Sequence, residues 1–299
     1  MARELVLEQL ADGVLTLTWN RPQRKNAFNE QLWRETRDAL REARADDRVR
    51  TVIVTGAGEA FSAGQDLGEM AAPPRTPDGP AFPSFLDELV SFDKPLLAAV
   101  NGVGVGIGLT MLLHCDIVWI ASEARLRAPF VTLGVVPEAA SSYLLPLQLG
   151  HQHAAELLYT AEWLDAEACR ELGIASRILP RTRLLPELQA LATRIAAQPL
   201  GALRHTKRLL LAVRADGIGA ARAREDAAFR VRVGSAENIE ALKAFLEKRP
   251  ADFRGSPRPT ARPSVLSQKF AVEISGRSSW LGVHRDRVSG SLARRATEA

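Results

Sequence analysis

Two glycine-rich segments about 40 residues apart are the parts of this 299-residue sequence best suited to chemistry. The first is Phe61-Ser62-Ala63-Gly64-Gln65-Asp66-Leu67. It follows a β-branched run at 51–55 and a turn at Gly56-Ala57-Gly58. Small residues let the backbone approach a ligand closely. Asp66 stands where a helix would begin, and an unpaired N–H at such a start can face a developing anion. The second segment, residues 101–108, places glycines at 102, 104, 106 and 108 between an apolar run and a helical one. It offers a second backbone donor of the same kind. Two N–H groups converging on one oxygen stabilise an oxyanion or enolate.

Other chemistries fit these segments less well. Ala60-Phe61-Ser62-Ala63-Gly64 departs from the nucleophile elbow G-x-S-x-G at its first position, and Ser62 lies ahead of the helix rather than on its turn. A G-x-G-x-x-G phosphate loop fails because Ile107 and Leu109 fill the third glycine position in the two registers. No Gly-Lys-Ser/Thr follows to make a P-loop. His114, His151 and His153 lack carboxylates or cysteines at ligand spacing, so no metal site is expected. Taken alone, both glycine segments also read as tight strand-to-helix turns and close helix–strand packing.

The surrounding pattern supplies the elements that must position them. Residues 5–10 and 14–19 flank Ala11-Asp12-Gly13 and predict a hairpin. Asn29 can cap a helix to about residue 45, with Leu32, Trp33, Thr36, Ala39 and Leu40 on one face. Strands are expected at 51–55, 96–100 and 116–120, with a helix at 106–114. The stretch 71–83 holds five prolines and reads as an exposed loop. From residue 141 the pattern is helical, broken by one strand at 174–179, and ends in helices at about 202–213, 220–232 and 236–248. The class is α/β.

Composition is that of an ordinary globular protein, 46% hydrophobic and 25% charged. Two cysteines, Cys115 and Cys169, suit a reducing compartment. No apolar run has the length of a membrane span, and the start of the chain lacks a signal-peptide pattern. A cytoplasmic location is expected, without a membrane partner. The net charge is +4. Residues 255–299 carry eight Lys/Arg against three Asp/Glu, an excess of +5, which leaves −1 for the other 254 residues. The basic excess thus sits in a Pro-, Ser-, Gly- and Arg-rich tail expected to be disordered, and no nucleic-acid surface is expected on the core.

Several motifs together resemble the crotonase, or enoyl-CoA hydratase/isomerase, family across about residues 3–254. They are Arg21-Pro22 with Asn26-Ala27; Thr55-Gly56-Ala57-Gly58 with residues 61–67; Lys94-Pro95 with Ala98-Ala99-Val100-Asn101-Gly102 and Cys115-Asp116; and Ala244-Phe245-Leu246-Glu247-Lys248-Arg249. The resemblance implies a spiral of ββα units over residues 1–200. A helical trimerisation region at 201–254 and the tail at 255–299 would follow. It implies a homotrimer or hexamer that binds an acyl-CoA thioester. Carried over by position, the oxyanion donors are the N–H groups of Gln65 and Ile107, the latter where the family normally has glycine. The CoA site would draw on Lys25, Ala27, Ser62, Ala63, Gly64, Asp66, Leu67 and Gly106. Phe245 and Lys248 would complete the site of a neighbouring subunit. No separate cofactor is implied, since coenzyme A arrives as part of the substrate.

The acid/base side chains decide which reaction follows. The family's hydratases use two glutamates, whose positions here hold Thr110 and Phe130; neither moves a proton near neutral pH. Glu138, in Leu133-Gly134-Val135-Val136-Pro137-Glu138, resembles the glutamate of Δ3,Δ2-enoyl-CoA isomerases. Pro129-Phe130 and Ser141-Ser142-Tyr143 resemble that branch as well. From the residues alone, Pro137-Glu138 also reads as a helix start whose carboxylate meets the helix N-terminus. The expected activity is isomerisation of an enoyl-CoA in fatty-acid metabolism. Hydration, or acyl-CoA binding without turnover, stand as the alternatives.

Overall fold

The chain enters its fold through the hairpin that its alternation predicts. β1 (Val6–Ala11) and β2 (Val14–Trp19) pair antiparallel with Ala11 opposite Val14. Asp12 and Gly13 between them have φ of 50° and 77°, the left-handed values that a two-residue hairpin turn demands. The computed structural model describes residues 3–71 and 79–254. The expectations for most of the proline-rich stretch and for the tail at 255–299 lie outside the described residues.

Helix α1 (Glu30–Ala45) starts where Asn29 Oδ1 accepts a hydrogen bond from Leu32 N at 3.0 Å. It buries Leu32, Trp33, Thr36, Ala39, Leu40 and Ala43, the face expected from their spacing. At its far end the fully buried Lys94 donates from Nζ to the carbonyls of Ala43, Asp46 and Val49, each at 2.8 Å. The ammonium satisfies carbonyls that a helix C-terminus leaves unpaired, at the negative end of the helix dipole.

From β3 (Thr51–Gly56) onward the chain winds as a spiral. Each turn sets one strand in a large sheet, a short one in a second sheet, and then helix. β3 leads to β4 (Ala60–Ser62), α2 (Leu67–Ala71) and α3 (Ala81–Ser91). β5 (Leu96–Val100) leads to β6 (Val103–Val105) and α4 (Ile107–Thr110), which tightens into a 3-10 turn at Met111–His114. β7 (Ile117–Ala121) leads to β8 (Leu126–Arg127), α5 (Ser141–Leu149), α6 (His151–Thr160) and α7 (Ala166–Glu171), and β9 (Arg177–Leu179) returns to the large sheet. That sheet has the order β1-β2-β3-β5-β7-β9, parallel except at β1; the second is β4-β6-β8, wholly parallel. Helices α8 (Arg181–Ala196), α9 (Leu200–Ala212), α10 (Ala215–Arg232) and α11 (Ala236–Leu246) complete the chain.

This is the expected α/β spiral with a helical C-terminal region. Two features depart from the sequence reading. The strands of the second sheet were not anticipated, since two or three residues are too few to show a period. Helix α3 falls partly inside the stretch read as loop. Pro80 precedes it and Pro83 lies in its first turn, where a missing N–H leaves no helical bond unmade.

The core follows from a sheet covered on both faces: β3 and β5 are buried along their whole length. Beside it an aromatic cluster joins Trp19 edge-on to Phe28 (centroids 5.0 Å apart) and Phe61 (4.8 Å), and stacks Phe28 on Trp33 (4.1 Å). Phe61 belongs to β4, and Phe28 bridges Gln65. The cluster is therefore the floor beneath the first glycine segment.

Lys94→Met keeps the buried stem and removes all three donors. It should destabilise the fold by about 3 kcal/mol, the loss expected for charged hydrogen bonds whose acceptors stay buried. A denaturant midpoint equal to that of the parent protein would show that those carbonyls find other partners.

Candidate active site

The two glycine segments meet because β4 and β6 are parallel neighbours, Ala60 opposite Val103 and Ser62 opposite Gly104. Beyond those pairs the backbones touch directly. A Cβ on Gly64 would fall 2.6 Å from Val105 O, and one on Gly108 would fall 2.5 Å from Ser62 O. Only glycine fits either place. Gly64 and Gly106 also have φ of 88° and 56°, a region that costs an L-residue strain. Each immediately precedes a candidate donor, Gln65 or Ile107. Neither backbone N–H has a hydrogen-bond partner among the described residues.

Around this cradle the polar side chains are committed to holding backbone. Asn26, fully buried, donates to the carbonyls of Ala57 and Ala60 at 2.9 and 2.7 Å. Trp33 Nε1 donates to Gln65 Oε1 at 3.0 Å, which turns the Gln65 side chain toward α1 and leaves its N–H as the group on offer. The Ile107 side chain is buried in the core.

The residues expected at the CoA site divide accordingly. Lys25 is exposed, and its carbonyl accepts from Ala63 N at 2.8 Å; Ala27 is buried beside it. The loop of Lys25 and Ala27 thus lies against the segment of Ala63 and Gly64. Asp66 is paired with Arg21 at 3.1 Å and accepts from Gly68 N at the start of α2, which Leu67 opens. Ser62 takes part through its backbone only. Its fully buried hydroxyl donates to Asn26 O at 2.9 Å and accepts from Gly64 N at 3.2 Å, so the side chain shapes the loop instead of reaching a ligand. Phe245 and Lys248 stand exposed at the end of α11 and share no described hydrogen bond or ion pair with the cradle.

Glu138 joins the site through Thr110. Thr110 Oγ1 donates to Glu138 Oε1 at 2.5 Å. Thr110 closes the single turn of α4 that Ile107 opens, so one short helix carries both the second candidate donor and the partner of the carboxylate. Glu138 Oε2 is shut off from solvent and has no hydrogen-bond partner. Burial pushes the carboxyl up to about 8, opposed by the Thr110 hydrogen bond and reinforced by the charges of Glu225 and Asp226. The residue is only half-buried as a whole, but the oxygen that matters is enclosed. Thr110, read from sequence only as the absence of a glutamate, is thus the direct partner of the proton-bearing group. Phe130, at the other hydratase position, is buried and apolar.

The helix-start reading of Glu138 is overturned. Its carboxylate binds no N–H of α5. Glu225, from α10, does that work, accepting from Ala140 N at 2.7 Å and Ser142 N at 2.8 Å. His114, buried and held neutral by burial that lowers it to about 4, donates from Nε2 to Ala139 O at 2.8 Å. It is a structural histidine. Among the described residues no three His, Cys, Asp or Glu side chains gather as metal ligands, and no helix is long and apolar enough to cross a membrane.

A sequence profile described as enoyl-CoA hydratase/isomerase matches residues 9–256. The chain is 33% identical over 259 residues to the 1,2-epoxyphenylacetyl-CoA isomerase of Escherichia coli K12, covering 84% of this chain and 99% of that protein. It is 32% identical to the 2,3-dehydroadipyl-CoA hydratase of the same organism (81% and 95% covered). It is also 32% identical to enoyl-CoA delta isomerase 2 of Rattus norvegicus (80% of this chain, 62% of that protein). Among solved structures, an enoyl-CoA hydratase/isomerase from Pseudoalteromonas atlantica T6c superposes with a TM-score of 0.81 at 38% identity, covering 84% of this chain and all of that one. At nearly equal identity these relatives carry different reaction names, so the choice rests on the acid/base residues.

The raised Glu138 carboxyl carries a stability signature. Above the ordinary carboxylate range, near 4.5, the unfolded chain releases this proton while the folded protein keeps it until about pH 8. The group therefore lowers stability progressively as pH rises through that window, and contributes nothing below it. Glu138→Gln should match the parent near pH 5 and melt higher at pH 9, by a few kcal/mol in stability. A difference in melting temperature that does not change between these pH values would show that the fold does not hold Glu138 as an acid.

Proposed function

The chain belongs to the enoyl-CoA hydratase/isomerase family, and from that premise we propose that it is an enoyl-CoA isomerase that moves a double bond from C3 to C2 of an acyl-CoA thioester. The observation that carries this reading is the single enclosed carboxylate, Glu138, with one oxygen bound by Thr110 and the other unpartnered. Thr110 and Phe130 stand where a hydratase would need its two glutamates.

The chemistry balances with one base. The thioester oxygen accepts from the N–H groups of Gln65 and Ile107. Ionised Glu138 takes a proton from C2, and the electron pair passes into a dienolate whose negative charge rests on that oxygen. Two preorganised donors are worth about 3–4 kcal/mol each at such a developing charge. The carboxyl, now protonated, returns its proton at C4. The double bond then lies between C2 and C3, and the carboxylate is regenerated. A base titrating near neutrality suits both steps, since it must take and give the same proton. The apolar surroundings that raise Glu138 also keep water from competing for the dienolate. Coenzyme A enters as part of the substrate and no further cofactor takes part.

The same reading includes a homotrimer or dimer of trimers. Leu209, Leu210 and Val213 of α9 and its end are exposed, as are Ile239, Phe245 and Leu246 of α11, an apolar surface of the kind that association covers. Membership of fatty-acid metabolism follows from the substrate class.

Glu138→Gln should cut isomerisation of a 3-enoyl-CoA by about 10²-fold or more, the contribution of a general base, while leaving acyl-CoA affinity intact. Thr110→Val removes a hydrogen bond that favours the ionised carboxylate, so the acidic limb of the rate profile should move to higher pH with a smaller loss of limiting rate. Near-full activity in Glu138→Gln would reject the assignment. Rapid hydration of a 2-enoyl-CoA without isomerisation would make the protein a hydratase, and tight binding with neither reaction would make it a binding module. Light scattering at micromolar concentration should give the mass of three or six chains; a monomer would remove the assembly from the reading.

A further inference from the structure

The segment that carries Glu138 is gripped at both ends by the C-terminal helices. At its start a Cβ on Gly134 would fall 2.7 Å from Asn238 N of α11, Asn238 Nδ2 donates to Leu133 O at 2.8 Å, and Arg232 Nε donates to Gly134 O at 3.2 Å. At its end Ala139 and Ala140 are both left-handed, with φ of 57° and 58°. Two consecutive alanines in that region are strained, and persist only where their surroundings over-determine them. The surroundings here are His114 on the Ala139 carbonyl and Glu225 on the N–H groups of Ala140 and Ser142. Glu225 is itself nearly inaccessible, at 6% exposure. Its helix packs directly on α5 at Gly217, where a Cβ would fall 2.3 Å from the Tyr143 ring.

We propose that Glu225 is a positioning residue: its buried carboxylate, reaching from α10, holds the Ala139–Ala140 turn that presents Glu138 to Thr110. A buried carboxylate 85 positions away in sequence is a costly way to satisfy two N–H groups that a serine or aspartate within the loop could satisfy. What the remote carboxylate adds is a fixed relation between the C-terminal helices and the proton shuttle. It also places a second negative charge beside Glu138. The charged and titratable groups around that carboxyl are Glu225 and Asp226 from α10 and, across the Ala139 peptide, the neutral His114; Thr110 is its hydrogen-bond donor. The two glutamates thus divide the labour, one free to exchange a proton and one spent on backbone.

The inference rests on Glu138 being the acid/base group, so its test has a readout that does not need turnover. In the full-length protein, the Glu138 carboxyl is followed by carbon-13 NMR, with Glu138→Gln for assignment, in the parent and in Glu225→Gln. The Glu225→Gln variant should titrate Glu138 at lower pH, because a neighbouring negative charge and the enclosure of the turn are both lost. Isomerisation of 3-hexenoyl-CoA should slow by about 10-fold or more, with hexanoyl-CoA affinity unchanged. Adding Ala140→Gly, which takes the left-handed turn without strain, should recover most of that rate and restores a foldable protein if Glu225→Gln alone is unstable. An unmoved titration and rate would overturn the proposal. So would a rate loss that merely follows the melting temperature, with the titration unmoved and no rescue by Ala140→Gly. If the parent protein does not isomerise at all, the isomerase reading falls, and the titration still decides the role of Glu225.

Discussion

The contact on which this site depends is backbone against backbone. Ser62 to Gly64 lies so close to Val105 to Gly108 that a single methyl group at Gly64 or Gly108 would collide with a carbonyl oxygen. That closeness brings together the two chain segments that carry the candidate donors Gln65 and Ile107. It also explains the division of the chain into two sheets. The large sheet supplies the buried strands that fix each turn of the spiral, and the small one brings its short strands together just before each donor. The aromatic floor of Trp19, Phe28, Trp33 and Phe61 and the buried amide of Asn26 serve the same end, since a loop of small residues has few side chains with which to hold itself.

Backbone donors make the site tolerant where a side-chain site would not be. The side chain of Ile107 is simply buried, and a backbone N–H survives any residue but proline. The acid/base position has no such latitude. One carboxyl must be charged at one moment and neutral at the next, inside a protein that penalises the charged form. Thr110 offsets part of that penalty with a hydrogen bond, while Glu225 and Asp226 add to it. The result is a carboxyl raised to about 8, far above the ordinary carboxylate range.

Other buried charges in this chain do the opposite and are locked. Lys94 spends all three protons on carbonyls. Lys207, also buried, pairs with Asp116 at 2.5 Å, and Asp116 in turn accepts from Leu96 N at 2.8 Å. Asp93 is held by Arg204 and Arg208 at 2.9 and 2.5 Å. Each of these charges is fixed by close partners, even where one oxygen, Asp93 Oδ1, stays unbound. Glu138 Oε2 stands apart as an enclosed oxygen at the site with nothing bound to it, beside a donor cradle in the same condition.

The sequence alone was enough for the hairpin, for α1, and for the strands at the centre of the large sheet, because burial on one face or on both writes a period into the residues. It was also enough for the two glycine segments, since a glycine required by close approach cannot be replaced without a trace, and for the presence of Glu138 with Thr110 and Phe130 at the alternative positions. It could not show β4, β6 and β8, which are too short for a period, nor α3, whose prolines imitate a loop. It could not separate Glu138 as a proton carrier from Glu138 as a helix cap, because both need only a carboxylate after a proline. Tertiary structure removed the cap reading by bringing Glu225 across from α10 to bind those N–H groups. A mid-helix glutamate looks like any solvated residue in sequence, and its meaning lies in what the fold packs against it.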